Sequence, residues 1–192
     1  MNKIVIASNN QGKIQEIKEI FKDKEILSLK QIECQIEVKE EGKTFEENAV
    51  IKAKETYNKI KLPCIADDSG LCIKSLNNYP GIYTNRFLGE NKTDKEKNEY
   101  LIEKLKNKED RTATFECNVV YYNGSKIYIG KGILKGKIAK KPKGKNGFGF
   151  DEIFELENGK TLAELTKEEK NKVSARKIAL EDLKQKMEKW EE

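Results

Sequence analysis

The sequence predicts an α/β fold, a mixed central β-sheet flanked by helices. Early in the chain, short apolar runs alternate with segments of 3.6-residue periodicity. Later, two strand-like runs flank Asn123-Gly124, a strong hairpin signal. No repeat or long linker interrupts the 192 residues, so 1–192 reads as a single domain.

The elements follow in order. "KIVIAS" (Lys3 to Ser8) reads as a buried strand, followed by an amphipathic helix with Ile14, Ile17, Ile20 and Phe21 on one face. "ILSL" (Ile26 to Leu29) is a second strand. "TFEE" then reads as a capping box, Thr44 capping and Glu47 reaching back, which opens a helix running to about Ile60. "CIADDSGLCI" (Cys64 to Ile73) reads as strand, tight turn and strand, since Asp, Ser and Gly are turn formers. "NNYPG" (Asn77 to Gly81) breaks the chain, and a second capping box (Thr93, Glu96) opens the next helix. "TATFECNVVYY" and "KIYIGKGIL" form the hairpin, and a Gly/Lys/Pro-rich loop leads to "GFGFDEIF", a loop-to-strand passage. A short helix follows Thr161, and a C-terminal helix carries Leu180, Leu183, Met187 and Trp190 on its apolar stripe.

Composition excludes several classes of function. Charged residues make up 37% of the chain and the mean hydropathy is −0.79, and no run approaches the roughly 20 apolar residues of a membrane span. The apolar run Ile4 to Ala7 is too short for a signal-peptide core, so a cytoplasmic protein is expected. The chain has no histidine, which removes Ser-His-Asp and Cys-His catalysis and leaves acid–base work to carboxylates, lysines or metal-bound water. Cys34, Cys64, Cys72 and Cys117 show no C-x-x-C spacing and read as reduced, buried thiols rather than a zinc site. The net charge of +5 is spread over 38 basic and 33 acidic residues, so no nucleic-acid partner is expected. The lysine-dense stretch "KGKIAKKPKGKNG" (Lys135 to Gly147) reads as a solvated loop.

Six stretches carry candidate chemistry. "SNNQGK" (Ser8, Asn9, Asn10, Gln11, Gly12, Lys13) joins a strand to a helix N-terminus, either an anion site with Lys13 as point charge or an ordinary polar turn. Thr44, Asn48 and Lys52, at i, i+4 and i+8, make one helix face polar, to meet an anion or only solvent. Upstream, Glu37, Glu40 and Glu41 are candidate oxygen ligands for a hard cation such as Mg²⁺, which needs only one or two carboxylates. Adjacent side chains in a strand face opposite ways, so Asp67 and Asp68 share a pocket only if the chain bends at Ser69-Gly70. With that bend, one carboxylate ligands Mg²⁺ while the other orients or polarises the attacking water. In "NGFGFD" (Asn146 to Asp151), Phe148 or Phe150 either stacks on a flat base or belongs to the core. In "KNKVSARKIAL", Lys170 and Arg176 either share one unbroken helix, about 120° apart around it, or are separated by a break with Ser174 as cap, which sets Ala175 and Arg176 at a new helix N-terminus where they could face a ligand.

In their order along the chain, "ASNNQGKIQE", "TFEENAVIKA", "IADDSGLCI", "YPGIYTNRF", "GFGFDEIF" and "LTKEEKNKVSARKIAL" resemble the inosine/xanthosine triphosphate pyrophosphatase family, from about Lys3 to Leu183. The resemblance implies an elongated two-lobed α/β domain with a cleft, commonly a homodimer. It implies Mg²⁺-dependent hydrolysis of deaminated purine nucleoside triphosphates (ITP, dITP, XTP) to monophosphate and pyrophosphate. It places Ser8 to Lys13 on the triphosphate, with Ser69 and Lys52 nearby. Asp68 is implied as general base and metal ligand, with Asp67 beside it and Glu40, favoured over Glu37, as second ligand. Phe148, Gly149, Phe150, Asp151, Lys170, Ala175 and Arg176 are implied as the base pocket.

The chain departs from the family's usual pattern at several positions. Ala175 stands where the family usually has His between Ser and Arg, and alanine offers the purine no hydrogen bond. A relaxed purine or modified-base specificity is therefore the alternative expectation, and a nucleotide binder without turnover is the alternative of another class. Phe150 replaces a usual Tyr, Glu152 a Pro, Asn77-Asn78 a Gly pair and Thr84-Asn85 a Ser-Ala.

Overall fold

The computed structural model describes residues 3–89 and 91–189; Trp190, assigned above to the C-terminal apolar stripe, lies outside them. The elements are β1 (Lys3–Ile6), α1 (Gln11–Ile20), β2 (Glu25–Ser28), α2 (Phe45–Ile60), β3 (Cys64–Ile73), β4 (Tyr79–Pro80), α3 (Asp94–Lys104), β5 (Thr112–Tyr122), β6 (Ile127–Ile138), β7 (Phe154–Glu155), α4 (Lys167–Val173) and α5 (Ala175–Glu188). The strand order is β2-β1-β3-β5-β6-β7, with β4 paired to β3. β1 runs parallel to both β2 and β3, whereas β4 and β7 are antiparallel to their neighbours, so the sheet is mixed, as expected. The chain divides into two compact units. The first takes in the chain up to Ser69, Cys117–Gly132 and the chain from Ala175 onward; the second is Gly70–Glu116 and Ile133–Ser174.

In the first unit, β1 lies between β2 and β3, with α1 and α2 as the crossovers. Successive connections therefore leave β1 toward opposite sides, and the end of its carboxyl edge is a topological switch point, where open α/β sheets bind ligands. α1 buries Ile14 and Ile17, and α2 buries mainly small residues, Ala49, Ala53 and Thr56 among them, against Val5, Leu29, Cys64, Ala66 and Val120. Thr44 caps α2, but the expected capping box is only half made. The Glu47 carboxylate passes over the cap residue and accepts the Lys43 N–H at 2.6 Å. The hairpin loop is longer than the two-residue turn that Asn-Gly suggests: Asn123 Oδ1 accepts the N–H groups of both Ser125 and Lys126.

The expectation of a tight turn at Asp67–Gly70 is overturned. β3 is one continuous ten-residue strand, buried along nearly its whole length. Turn chemistry is a local preference, and here pairing on both edges of the strand outweighs it.

The second unit has its own core, with Leu71, Ile73, Phe87, Leu101, Leu105, Phe150, Ile153 and Phe154 buried together. The α3 capping box forms with both of its bonds, from Thr93 and Glu96. Asn77 and Asn78 adopt φ of 55° and 62°, the left-handed region that asparagine tolerates better than most residues. Thr84 uses its hydroxyl to accept the Leu71 N–H and donate to the Gly81 carbonyl. The strand after "GFGFDEI" is only Phe154–Glu155, shorter than the sequence suggests. Arg111 locks one edge by donating to the carbonyls of Leu105, Ile138 and Ala139. Among the described residues, no helix is long and apolar enough to cross a membrane.

In the first unit, α5 lies so close to β6 that a Cβ at Gly130 or Gly132 would run into the α5 backbone at Ala179 or Ala175. Gly132→Ala is accordingly expected to destabilise the protein by about 1–3 kcal/mol, read as a lowered Tm in a thermal melt. An unchanged Tm would mean that α5 can shift outward freely.

Candidate active site

Strand lengths set up the site. The last β1–β3 pair is Ile6 with Ile65, and Ala7 still donates to the Ile65 carbonyl at 2.8 Å. Beyond that point the chain leaves β1 as the Ser8–Asn10 loop, while β3 continues into Asp67 and Asp68. Both carboxylates are buried, at 4% and 2% exposure. Because β3 stays extended, they face opposite ways, and their partners differ.

Asp67 meets cations from two helices. Lys13 of α1 donates to Asp67 Oδ2 at 2.8 Å, and Arg176 of α5 reaches the same oxygen through Nε at 3.3 Å. Arg176 also donates to Glu16 Oε2 at 3.0 Å and to Ser69 Oγ at 3.4 Å. Burial alone would raise the Asp67 pKa, but Lys13, then Arg176, outweigh it and hold the carboxyl well below the usual range. For Arg176, burial opposes the charge, yet Asp67 and Glu16 hold its pKa above even the ordinary arginine value. Asp67 is an anion at neutral pH.

Asp68 faces α2. Its Oδ2 accepts from Asn48 Nδ2 at 3.0 Å, its Oδ1 accepts the Ser69 N–H at 3.0 Å, and Lys52 Nζ stands 3.7 Å from Oδ1. The polar face of α2 is thus not simply solvated: Asn48 is fully buried and also accepts the Gly42 N–H. Lys52 Nζ also contacts Glu40 Oε1 at 2.6 Å and the Asp67 carbonyl at 3.1 Å. Burial dominates at Asp68 and raises its pKa; Lys52 and Asn48 offset this only in part, and Glu40 and Asp67 add to the rise. Lys52 is pushed up despite desolvation, by Asp68 and Glu40. The two neighbouring carboxyls are therefore driven apart, one locked as an anion and the other poised to take a proton, the pattern that separates acid–base roles.

Glu40, Asp68 and the Asp67 carbonyl surround one ammonium, a set of hard oxygen donors suited to Mg²⁺, which takes one or two carboxylates and completes its shell with phosphate and water. Glu37 is exposed and does not join them. Among the described residues, no group of three or more His, Cys, Asp or Glu converges as a metal cage.

The Ser8–Lys13 segment caps α1. Ser8 Oγ accepts the Asn10 N–H, and Asn10 Oδ1 accepts the Lys13 N–H. The first-turn amides of Gln11 and Gly12 have no intrahelical partner by construction. Asn9, Gln11 and Gly12 are exposed. Cys64 and Cys117 are buried in this unit and Cys72 in the second; burial pushes all three thiols up to about 12.

In the second unit, the two phenylalanines of "GFGFD" separate. Phe150 is core, stacked on Phe87 with centroids 5.8 Å apart, whereas Phe148 is 70% exposed. Lys170 of α4 sits over the Phe148 ring at 4.5 Å and pairs with the buried Asp151, which also accepts the Phe148 N–H at 2.8 Å. A break at Ser174 separates α4 from α5, as the sequence suggests. It sends Lys170 and Arg176 to different partners: Lys170 to Asp151, and Arg176 to Asp67. Ala175 is buried as the first residue of α5.

Sequence reasoning missed Glu16, Asp94 and Asn98. Glu16 lies three residues after Lys13, one helical turn along the same face, a spacing that places it beside whatever Lys13 meets. Asp94 and Asn98, one turn apart on α3, bond the backbone of Gly149; no local pattern marks that contact across 55 and 51 positions.

The sequence model of the Ham1 family matches residues 4–186. A dITP/XTP pyrophosphatase of Staphylococcus aureus (strain MW2) is 44% identical over 185 residues, covering 94% of this chain and 93% of its own. One from Aquifex aeolicus (strain VF5) is 43% identical over 191 residues, covering 94% of each chain. The solved structure of the Staphylococcus aureus Ham1 protein matches with a TM-score of 0.92 at 41% identity, over 100% of both chains. A HAM1 protein from Coxiella burnetii matches with a TM-score of 0.91 at 39% identity, over 98% of this chain and 100% of its own. The six ordered motifs are thus the local trace of a likeness that runs through the whole chain, which belongs to the Ham1 family.

Proposed function

We propose that this protein is a nucleoside triphosphate pyrophosphatase that hydrolyses the deaminated purine nucleotides dITP, XTP and ITP to the monophosphate and pyrophosphate. The names of its relatives support the reaction class. The observation in this chain that carries the reading is the divided electrostatics of Asp67 and Asp68. A protein that only bound nucleotides would have no use for a buried carboxyl held ready to accept a proton.

In this reading the triphosphate lies on the Ser8–Lys13 loop, its charge met by the first-turn amides of α1 and by Lys13 and Lys52. Asp68 takes a proton from the water that attacks the α-phosphorus; the bond from that phosphorus to the bridging oxygen breaks and pyrophosphate leaves with the electron pair. Asn48 and the Ser69 N–H keep the Asp68 carboxyl oriented for this step. Asp67 fixes Lys13 and Arg176 in place. Glu40 and Asp68 would hold Mg²⁺, which would supply further neutralisation of the phosphate oxygens. The base stacks on Phe148, with Lys170 at the ring. Buried free thiols accord with a reducing compartment, and we place the protein in the cytoplasm.

The first test is pyrophosphate release from dITP, XTP, ITP, GTP and ATP in parallel, with Mg²⁺ and with chelator. Release favouring dITP, XTP and ITP and abolished by chelator is expected. Equal release from GTP would instead support the relaxed reading suggested by the methyl side chain of Ala175, and no release from any would leave a binder.

Asp68→Asn is expected to lower kcat by about 10²–10⁴ without loss of fold. Because folding raises the Asp68 pKa, its ionised form costs stability above the unfolded value, so removing the charge does not destabilise at neutral pH.

Asp67 has the opposite sign. Its depressed pKa contributes stability that is complete above the unfolded value and is lost as pH falls through the folded one. Asp67→Asn should therefore cost about 3–5 kcal/mol at pH 7, because it removes the buried carboxylate that Lys13 and Arg176 share and leaves Arg176 with Glu16 alone as its charge partner, and the gap from wild type should narrow toward acid pH. Thermal melts between pH 3 and 7 read this directly; parallel curves would contradict it.

A further inference from the structure

The exposed Phe148 ring stands in a turn that no regular element supports. Its neighbours Gly147 and Gly149 have φ of 79° and 64°, both left-handed, so the turn owes its shape to a backbone few residues adopt. Inside the turn, Asp151 accepts the Phe148 N–H. From outside, α3 holds Gly149 by both of its backbone groups. Asp94 Oδ2 accepts the Gly149 N–H at 2.7 Å, and Asn98 Nδ2 donates to the Gly149 carbonyl at 3.0 Å. The two side chains lie at i and i+4, on one face of α3. They grip one peptide unit on each side of a single Cα.

The helix end that carries this grip is itself firm. Thr93 and Glu96 close a full capping box, which fixes Asp94 in the first turn. Asn98 is 1% exposed, beside Leu101 and Leu105 of the same helix in the core. Among the described residues its Oδ1 meets no hydrogen-bond donor, and the amide's one bond is that to Gly149. A residue that leaves a buried acceptor unsatisfied to make a single contact is poorly explained by stability alone.

We propose that Asp94 and Asn98 are positioning residues for base recognition: together they clamp Gly149 and so set the height and tilt of the Phe148 ring on which the purine stacks. The inference rests on the reading of Phe148 as the base platform. It separates base affinity from phosphate chemistry, since Asp94 and Asn98 belong to the second unit and Lys13, Lys52, Asp67 and Asp68 to the first. Loosening the clamp should weaken the Michaelis complex while leaving the chemical step nearly intact.

The test is steady-state kinetics on XTP and dITP with wild type, Asp94→Ala, Asp94→Asn, Asn98→Asp and Phe148→Ala, with inorganic tripolyphosphate as a base-free competitive inhibitor. Asn98→Asp keeps the shape but removes the donor; Asp94→Asn keeps an acceptor. Asp94→Ala and Asn98→Asp are expected to raise KM about 5- to 20-fold with kcat within about threefold and the tripolyphosphate Ki unchanged, whereas Asp94→Asn stays near wild type. Hydrogen exchange at 147–150 should quicken in the first two variants, showing that the clamp has opened in a folded protein. Quickened exchange with unchanged KM, while Phe148→Ala raises KM, would overturn the clamp's role and leave the platform standing. Unchanged KM in Phe148→Ala would overturn the platform and the clamp with it. A fall in kcat together with a shifted tripolyphosphate Ki would also overturn the proposal, because it would mean the damage had spread to the phosphate residues.

Discussion

The side-chain alternation of an extended strand is the constraint on which the first unit is organised. Two consecutive acids in β3 must leave on opposite faces, and each buried charge costs several kcal/mol unless it is matched. The chain therefore needs a separate source of compensation on each side. α1 and α5 bring Lys13 and Arg176 to one face, and α2 brings Asn48 and Lys52 to the other. The compensation is unequal. Two cations in direct contact overcome burial at Asp67, whereas one ammonium at 3.7 Å and an amide do not overcome it at Asp68. From identical side chains, neighbouring in sequence, the sheet makes one carboxyl held below the usual range and one pushed above it.

The second unit solves a different problem, how to display an aromatic ring without letting it collapse into its own core. Phe148 and Phe150 have the same apolar surface to bury, and Phe150 does so against Phe87 and Phe115. Phe148 is kept out by bonds to its backbone neighbours and by Lys170, whose ammonium lies over the ring and whose charge is balanced by Asp151. A cation over an aromatic face contributes about 0.5–1 kcal/mol at an exposed site, enough to bias the ring's orientation but weak enough to yield to a planar ligand.

Much of this was legible in the sequence, and what was not has a physical reason. Periodicity and caps marked α1, α2, α3 and α5 because those signals lie within a few residues of each other. The left-handed Asn77 and Asn78 were readable for the same reason. The continuity of β3 was not. Asp-Ser-Gly favours a turn locally, and only its pairing with distant strands decides otherwise. The pairing of Arg176 with Asp67 crosses 109 positions and that of Gly149 with Asp94 crosses 55, so neither leaves a periodic trace. The choice of Phe148 over Phe150 as the exposed ring depends on which one the β5 and Phe87 side chains enclose, a matter of packing rather than motif.

Asp67 also uses its backbone: its carbonyl accepts from Lys52 on the side opposite its carboxylate. One residue thus touches the cations of both faces, and this shapes how the lineage can diverge. A replacement at Asp67 takes the shared carboxylate from partners that lie 54 residues upstream and 109 downstream, and leaves Arg176 only Glu16 and Ser69. Drift in this chain is therefore expected to run around β3 and to leave the Asp67–Asp68 pair as a fixed point, inherited together or lost together.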